Sequence, residues 1–155
     1  MVLTSSDART WRQQSKLSQQ LVSVAFGRGI FVAVGAENEG TGTILTSTDG
    51  GAWTKQDIGL ICFLNAVTFN NGIFVAVGGK AGYREESANV ILTSLDGITW
   101  TERHRGTAHS LNSVTYADGV FVAVGAAPER GGTVFTSDSP NQFHSSDKPT
   151  AWKPS

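Results

Sequence analysis

Apolar positions in this chain come in short runs broken by glycine-rich turns, and the runs repeat. Leu21 to Gly35, Leu64 to Gly78 and Leu111 to Gly125 each read Leu-x-(Ser/Ala)-Val-(Ala/Thr)-(Phe/Tyr), then three residues ending in Gly, then (Ile/Val)-Phe-Val-Ala-Val-Gly. The copies of the phenylalanine, Phe31, Phe74 and Phe121, lie 43 and 47 residues apart. Within a copy the period is two. Val22, Val24 and Phe26 share one side and Ser23 and Ala25 the other, while Phe31, Ala33 and Gly35 oppose Val32 and Val34. Apolar or small residues on both sides predict strands in a sheet that is covered on both faces. The β-branched content and the shortness of the runs argue against helix.

Gly27-Arg28-Gly29, Asn70-Asn71-Gly72 and Ala117-Asp118-Gly119 predict hairpin turns, because Gly and Asn tolerate positive φ. A third strand follows in each unit: Thr43 to Ser47, Val90 to Ser94 and Thr133 to Ser137. A turn then leads to a short polar strand that starts near Trp53, Trp100 and Phe143, although the tail at Trp152 offers an alternative last strand. Four antiparallel strands make a small sheet that cannot bury both of its faces alone. Radial stacking solves that problem, each unit covering its neighbours.

The expected fold is therefore all-β: β-propeller blades of four antiparallel strands, about three and a half per chain. Residues 1–155 form a single repeat domain, with a partial blade at 2–15 and blades at about 21–57, 64–105 and 111–152. A β-sandwich is the rival, but it does not readily explain the same order of strand, turn and aromatic three times over.

The turn after each third strand carries a sharper motif. It reads Ser5-Ser6-Asp7-Ala8-Arg9-Thr10-Trp11, Ser47-Thr48-Asp49-Gly50-Gly51-Ala52-Trp53 and Ser94-Leu95-Asp96-Gly97-Ile98-Thr99-Trp100. These copies resemble the Asp-box, or BNR, repeat of sialidase-like propellers and their non-catalytic relatives, in a compact form one residue shorter between Asp and Trp. The resemblance spans nearly the whole chain and gives Ser5, Asp7, Trp11, Ser47, Asp49, Trp53, Ser94, Asp96 and Trp100 structural roles. The carboxylate accepts turn N–H groups, and the Trp packs between sheets. Reading the same pairs as calcium ligands is weaker, since each turn supplies one carboxylate and calcium takes six to eight oxygens. The fourth copy, Thr136 to Phe143, keeps the length but not the Asp position.

The resemblance to sialidases implies an arginine cluster, a tyrosine nucleophile with an acidic partner, and a separate Asp acid/base. The chain offers Arg9, Arg12, Arg28, Arg84, Arg103, Arg105 and Arg130, with Tyr83 and Tyr116. Tyr116 stands at the packing position of Phe26 and Phe69, and no acid marks itself as a catalytic partner. No His-Glu-x-x-His, phosphate loop or Gly-x-Ser-x-Gly elbow is present. The expectation is a chain that is not an enzyme: a non-catalytic binding module, lectin-like or protein-binding. The alternative is an assembly unit, or a piece of a larger propeller without independent activity.

Net charge of −1 and scattered basic residues argue against nucleic acid or an anionic membrane as partner. No stretch approaches the roughly 20 apolar residues that cross a bilayer. Cys62, the single cysteine, sits among apolar neighbours and reads as a buried inert thiol. No cofactor or metal is expected. His104, His109 and His144 lack zinc-ligand spacing, and the first two read as solvated.

Any ligand is expected on the face that carries the loops between second and third strands and the crossings between blades, because those loops vary in length. Glu39, Lys80, Tyr83, Arg84, Glu85 and Arg130 lie in the loops, and Arg103, His104 and Arg105 in a crossing. Tyr83-Arg84 sets an aromatic plane beside a forked cation, suited to a glycan or a protein partner. About three and a half blades do not close a ring of four or more. Closure within one chain would make a small, strained ring of four blades and force Thr133 to Ser137 out of its sheet, so a homo-oligomer, most simply a dimer with termini paired across chains, is expected. A fragment of a longer propeller is the other possibility.

Overall fold

The computed structural model describes residues 1–37, 41–59, 61–79, 89–106, 110–126, 132–139 and 142–145. Among them no helix forms; the chain makes fourteen strands in four antiparallel sheets. A two-stranded half-blade comes first, β1 (Val2–Thr4) and β2 (Arg12–Ser15). Blade 1 holds β3 (Gln20–Gly27), β4 (Ile30–Ala36), β5 (Gly42–Ser47) and β6 (Thr54–Gln56). Blade 2 holds β7 (Phe63–Asn70), β8 (Ile73–Gly79), β9 (Asn89–Ser94) and β10 (Thr101–Arg105). Blade 3 holds β11 (Leu111–Ala117), β12 (Val120–Ala126), β13 (Gly132–Ser139) and β14 (Gln142–Ser145). Strand order in each full blade follows the chain, and the first strands β3, β7 and β11 neighbour one another in turn. The fold is a β-propeller of about three and a half blades.

The inner hairpins follow from their turns. Arg28-Gly29, Asn71-Gly72 and Asp118-Gly119 all have φ between 49° and 85°, the paired positive dihedrals that suit the twist of a tight hairpin. Each inner hairpin also carries a bulge in its first strand. Leu21 pairs Gly35 but Ser23 pairs Val34, and the same slip recurs at Leu64/Ala66 and Leu111/Ser113. The glycine opposite is required by the close approach. A Cβ on Gly35, Gly78 or Gly125 would collide with the carbonyl oxygen of Gln20, Phe63 or Ser110 respectively.

Two cores lie between the full blades. Val32, Val34 and Ile44 of blade 1 pack against Val67, Phe69, Phe74 and Leu92 of blade 2. Val75, Val77 and Ile91 of blade 2 pack against Val114, Tyr116, Phe121 and Phe135 of blade 3. Within a blade, an aromatic pair clasps the hairpin: Phe26–Phe31, Phe69–Phe74 and Tyr116–Phe121, with centroids 4.5–4.7 Å apart.

The two ends of this stack depart from the expected coverage of both faces. Val24, the counterpart of Val67, is 58 % exposed, and Val22 and Phe26 are exposed with it. Leu45 on the same side is buried, because the half-blade covers only the outer strands there; Thr4 stands 3.3 Å from where a Cβ on Gly50 would lie. At the other end Val124 and Val134, counterparts of the fully buried Val77 and Ile91, are 41 % and 37 % exposed. β13 keeps Thr133 to Ser137 as the third strand of blade 3, pairing Phe121 with Ser137. The last strand is the one through Phe143; the alternative at Trp152 lies outside the described residues.

Candidate functional site

The Ser-x-Asp turns are closed units. Asp7 Oδ1 accepts the Arg9 and Thr10 N–H groups at 2.8 Å, and Ser5 Oγ donates to it at 2.9 Å. Asp49 accepts from Gly51 and Ala52, and Asp96 from Ile98 and Thr99, at 2.7–3.0 Å. Trp53 and Trp100 each donate Nε1–H to the carbonyl of the turn glycine at 3.1 Å. Backbone donors favour the carboxylate form, so Asp7 and Asp96 are both lowered to about 2 and Asp49 is lowered likewise. These acids are engaged in holding turns. Among the described tryptophans Trp11 is the exception, largely exposed on the half-blade.

On the face expected to bind, Glu39, Lys80, Tyr83, Arg84, Glu85, Arg130 and His109 lie outside the described residues. Arg103, His104 and Arg105 are described, and they belong to β10 rather than to the crossing after it. Their side chains serve three separate purposes. Arg103 Nε donates to Thr93 Oγ1 at 2.8 Å, as Gln14 Nε2 does to Thr4 and Gln56 Nε2 to Thr46 at 2.7 and 2.9 Å. That contact ties third strand to fourth in successive units, and Arg103 occupies the glutamine's place. His104 is half-buried rather than solvated, its ring 4.7 Å from that of Phe135 across the seam between blades 2 and 3. Arg105 forks onto Glu102, Nε to Oε1 at 3.0 Å and Nη2 to Oε2 at 2.7 Å. This pairing lowers the carboxyl and raises the guanidinium.

A second polar group went unread in the sequence. Lys55 Nζ donates to Glu37 Oε2 at 2.7 Å, and Gln19 Nε2 donates to Oε1 at 3.1 Å. The lysine holds the Glu37 carboxyl below its usual range, the glutamine adding to that effect. Gln19 and Glu37 come from two different connections and Lys55 from β6, and no local spacing announces their meeting. Beside them, a shallow cleft of about 110 Å³ is lined by Lys55, Asp57, Ile58 and Ile61. Asp57 closes its own turn, accepting the Gly59 N–H at 3.0 Å. Cys62 is buried beneath, and burial pushes its thiol up to about 11. Among the described residues no three His, Cys, Asp or Glu side chains converge as a metal group.

No family model and no curated protein sequence matches the chain. Solved structures do resemble it. A Bombyx mori GH32 β-fructofuranosidase in complex with sucrose aligns over 86 % of this chain at 8 % identity with a TM-score of 0.49, and the chain spans 38 % of that enzyme's length. The GH43 endo-arabinanase of Bacillus licheniformis covers 77 % of the chain at 10 % identity, TM-score 0.42, with 71 % of the enzyme matched. The arabinanase of Bacillus subtilis covers 81 % at 12 % identity, TM-score 0.41, with 75 % matched. The likeness is one of fold.

These neighbours are glycoside hydrolases, and they overturn two expectations together: that the chain is a non-catalytic binding or assembly module, and that it is not an enzyme. An arginine cluster and a tyrosine nucleophile belong to the catalytic plan that the turn motif's resemblance to sialidases implies, and that plan is one among several that a fold can carry.

Proposed function

We propose that this chain is a subunit of an Asp-box propeller whose ring is completed by a second copy, and that the loop face of that ring is directed at carbohydrate. The observation that carries the first half is the pair of open ends. Val22, Val24 and Phe26 at one end, and Val124 and Val134 at the other, are the two halves of the interface that is already built twice inside the chain. Fully burying each such side chain is worth about 1.5–3 kcal/mol, enough in sum to drive association. A head-to-tail interface that returns on itself after two copies gives a closed ring. Two chains then supply six or more blades, within the usual four to eight.

The second half is supported by the chemistry of the loop face. Glu37–Lys55–Gln19 and Glu102–Arg105 set donors and acceptors side by side without a field of one sign. A neutral polyhydroxylated ligand suits such a surface better than a polyanion does. Tyr83 and Arg84 lie outside the described residues, and by residue type alone an aromatic ring beside a forked cation suits a sugar.

Sedimentation tests the ring. The expected mass is twice 16.4 kDa at micromolar protein, falling to the single-chain value in Val24→Asp; a wild-type single-chain mass refutes closure. Carbohydrate is tested by calorimetric titration with a panel of neutral oligosaccharides, with reducing-end release followed in the same incubations to read turnover. Tyr83→Ala with Arg84→Ala is expected to weaken binding at least tenfold and Arg28→Ala, on the opposite face, to leave it unchanged. The reverse pattern would move the site to the hairpin face.

A further inference from the structure

Resting on that two-copy ring, we infer that closure occurs by strand exchange: β1–β2 of one copy becomes the outer hairpin of blade 3 in its partner, displacing β13–β14 there.

Space requires it. The half-blade already occupies the outer half of the place that precedes blade 1, and beside β1 lies a groove of about 510 Å³ lined by Leu3, Leu21, Val22, Val24 and Ala33. A whole blade 3 from a partner would overlap the half-blade. Its inner hairpin β11–β12 alone fits the remaining position, provided β1 becomes the strand next to β12. The exchange fills the groove and satisfies the open edge of β1 in one step.

Sequence register agrees. Val2-Leu3-Thr4-Ser5 repeats Ile44-Leu45-Thr46-Ser47 and Ile91-Leu92-Thr93-Ser94, both third strands. In those blades Phe31 faces Ser47, Phe74 faces Ser94, and Val34 and Val77 face Ile44 and Ile91. The same ladder sets Phe121 opposite Ser5, and Val124 opposite Val2, of the other copy. The turn chemistry agrees in part. The β1–β2 turn keeps the Ser5 Oγ–Asp7 bond and the Arg9 and Thr10 N–H bonds to Asp7, as the other Ser-x-Asp turns do, whereas Ser139 of β13 pairs with Gln142 of β14.

Two side chains gain partners by analogy. Trp100 stacks near Phe74 with centroids 6.4 Å apart, and exchange sets the exposed Trp11 against Phe121 in the same relation. Asn65, in the bulge of β7, donates to the Leu111 carbonyl of the next blade. Asn112 occupies the same bulge in β11, and its counterpart acceptor is Leu21 of the other copy.

The test mixes two single-cysteine variants, Val2→Cys and Val124→Cys, each in a Cys62→Ala background, refolds them together and oxidises them. A disulfide joining the peptide around residue 2 to the peptide around residue 124 is expected, and with one thiol per chain it can only link two copies. In a single chain carrying Val124→Cys and Val134→Cys, no intrachain link is expected. If that link forms while sedimentation still gives two chains, exchange is wrong and the ring closes by another contact. If sedimentation gives one chain, the ring itself fails and exchange fails with it. Hydrogen exchange on the unaltered chain avoids any folding defect of the variants. Protected amides in residues 2–4 with fast exchange in 132–139 support the proposal, and the reverse overturns it.

Discussion

Asn65 reaches across the seam between blades 2 and 3, its Nδ2 donating to Ser110 Oγ and to the Leu111 carbonyl, each at 2.8 Å. The bulge in β7 makes this possible by lifting Asn65 out of the strand alternation, so that its amide meets the next blade's first strand instead of its own sheet. It is a pin between blades. Asn65→Ala is expected to cost about 1–3 kcal/mol, since an acceptor at the seam loses its donor. Urea unfolding should show a lower midpoint with an unchanged slope. A midpoint equal to wild type would show that the pin carries no load.

Acid should loosen the turns before it loosens the cores. Asp7 and Asp96 have folded pKa values of about 2, below the ordinary 3.8, because backbone N–H groups select the carboxylate. A depressed folded value means that their contribution is complete above about pH 4 and is lost as pH falls toward 2. Melting temperature should therefore decline through that window. Asp96→Asn keeps an acceptor but not a titrating one, so it should lower the melting temperature by a few degrees at pH 7 and flatten the acid slope. An unchanged slope in that variant would remove Asp96 from the account.

Cys62 offers a probe of blade integrity. Burial holds its thiol at about 11, so at pH 8 the thiolate is scarce as well as inaccessible. Labelling by a small disulfide reagent should be slower than for free cysteine by a hundredfold or more, and should become fast in denaturant. Rapid labelling of the native chain would mean that the connection between blades 1 and 2 opens readily.

The blades were readable from the sequence because their determinants are local and repeated. Turn pairs such as Asn71-Gly72, the Ser47–Asp49 and Ser94–Asp96 turns, and the period-two runs specify hairpins without reference to anything distant. The bulge was not readable: Val22 looks like one more member of an alternating strand, and only the pairing of Leu21 with Gly35 and Ser23 with Val34 exposes it. The candidate site was less legible still. Arg103 and His104 are adjacent in sequence, yet the register of β10 slips between Glu102 and His104, and here one side chain ties to Thr93 while the other meets Phe135. Glu37 and Lys55 never stood out, since their meeting depends on how a loop folds back beside the fourth strand. Activity is illegible for a different reason. The Ser-x-Asp motif closes turns and nominates no catalytic residue, since Asp49 and Asp96 are committed to backbone groups within three residues of themselves.

That last distance has a consequence for how such chains change over generations. Every bond that shapes a Ser-x-Asp turn begins and ends inside it, and each apolar seam involves only adjacent units. No unit therefore encodes how many units there are. Duplication or loss of one leaves the remainder foldable and alters only the angle through which the ends must meet, so unit number can drift under selection on closure alone.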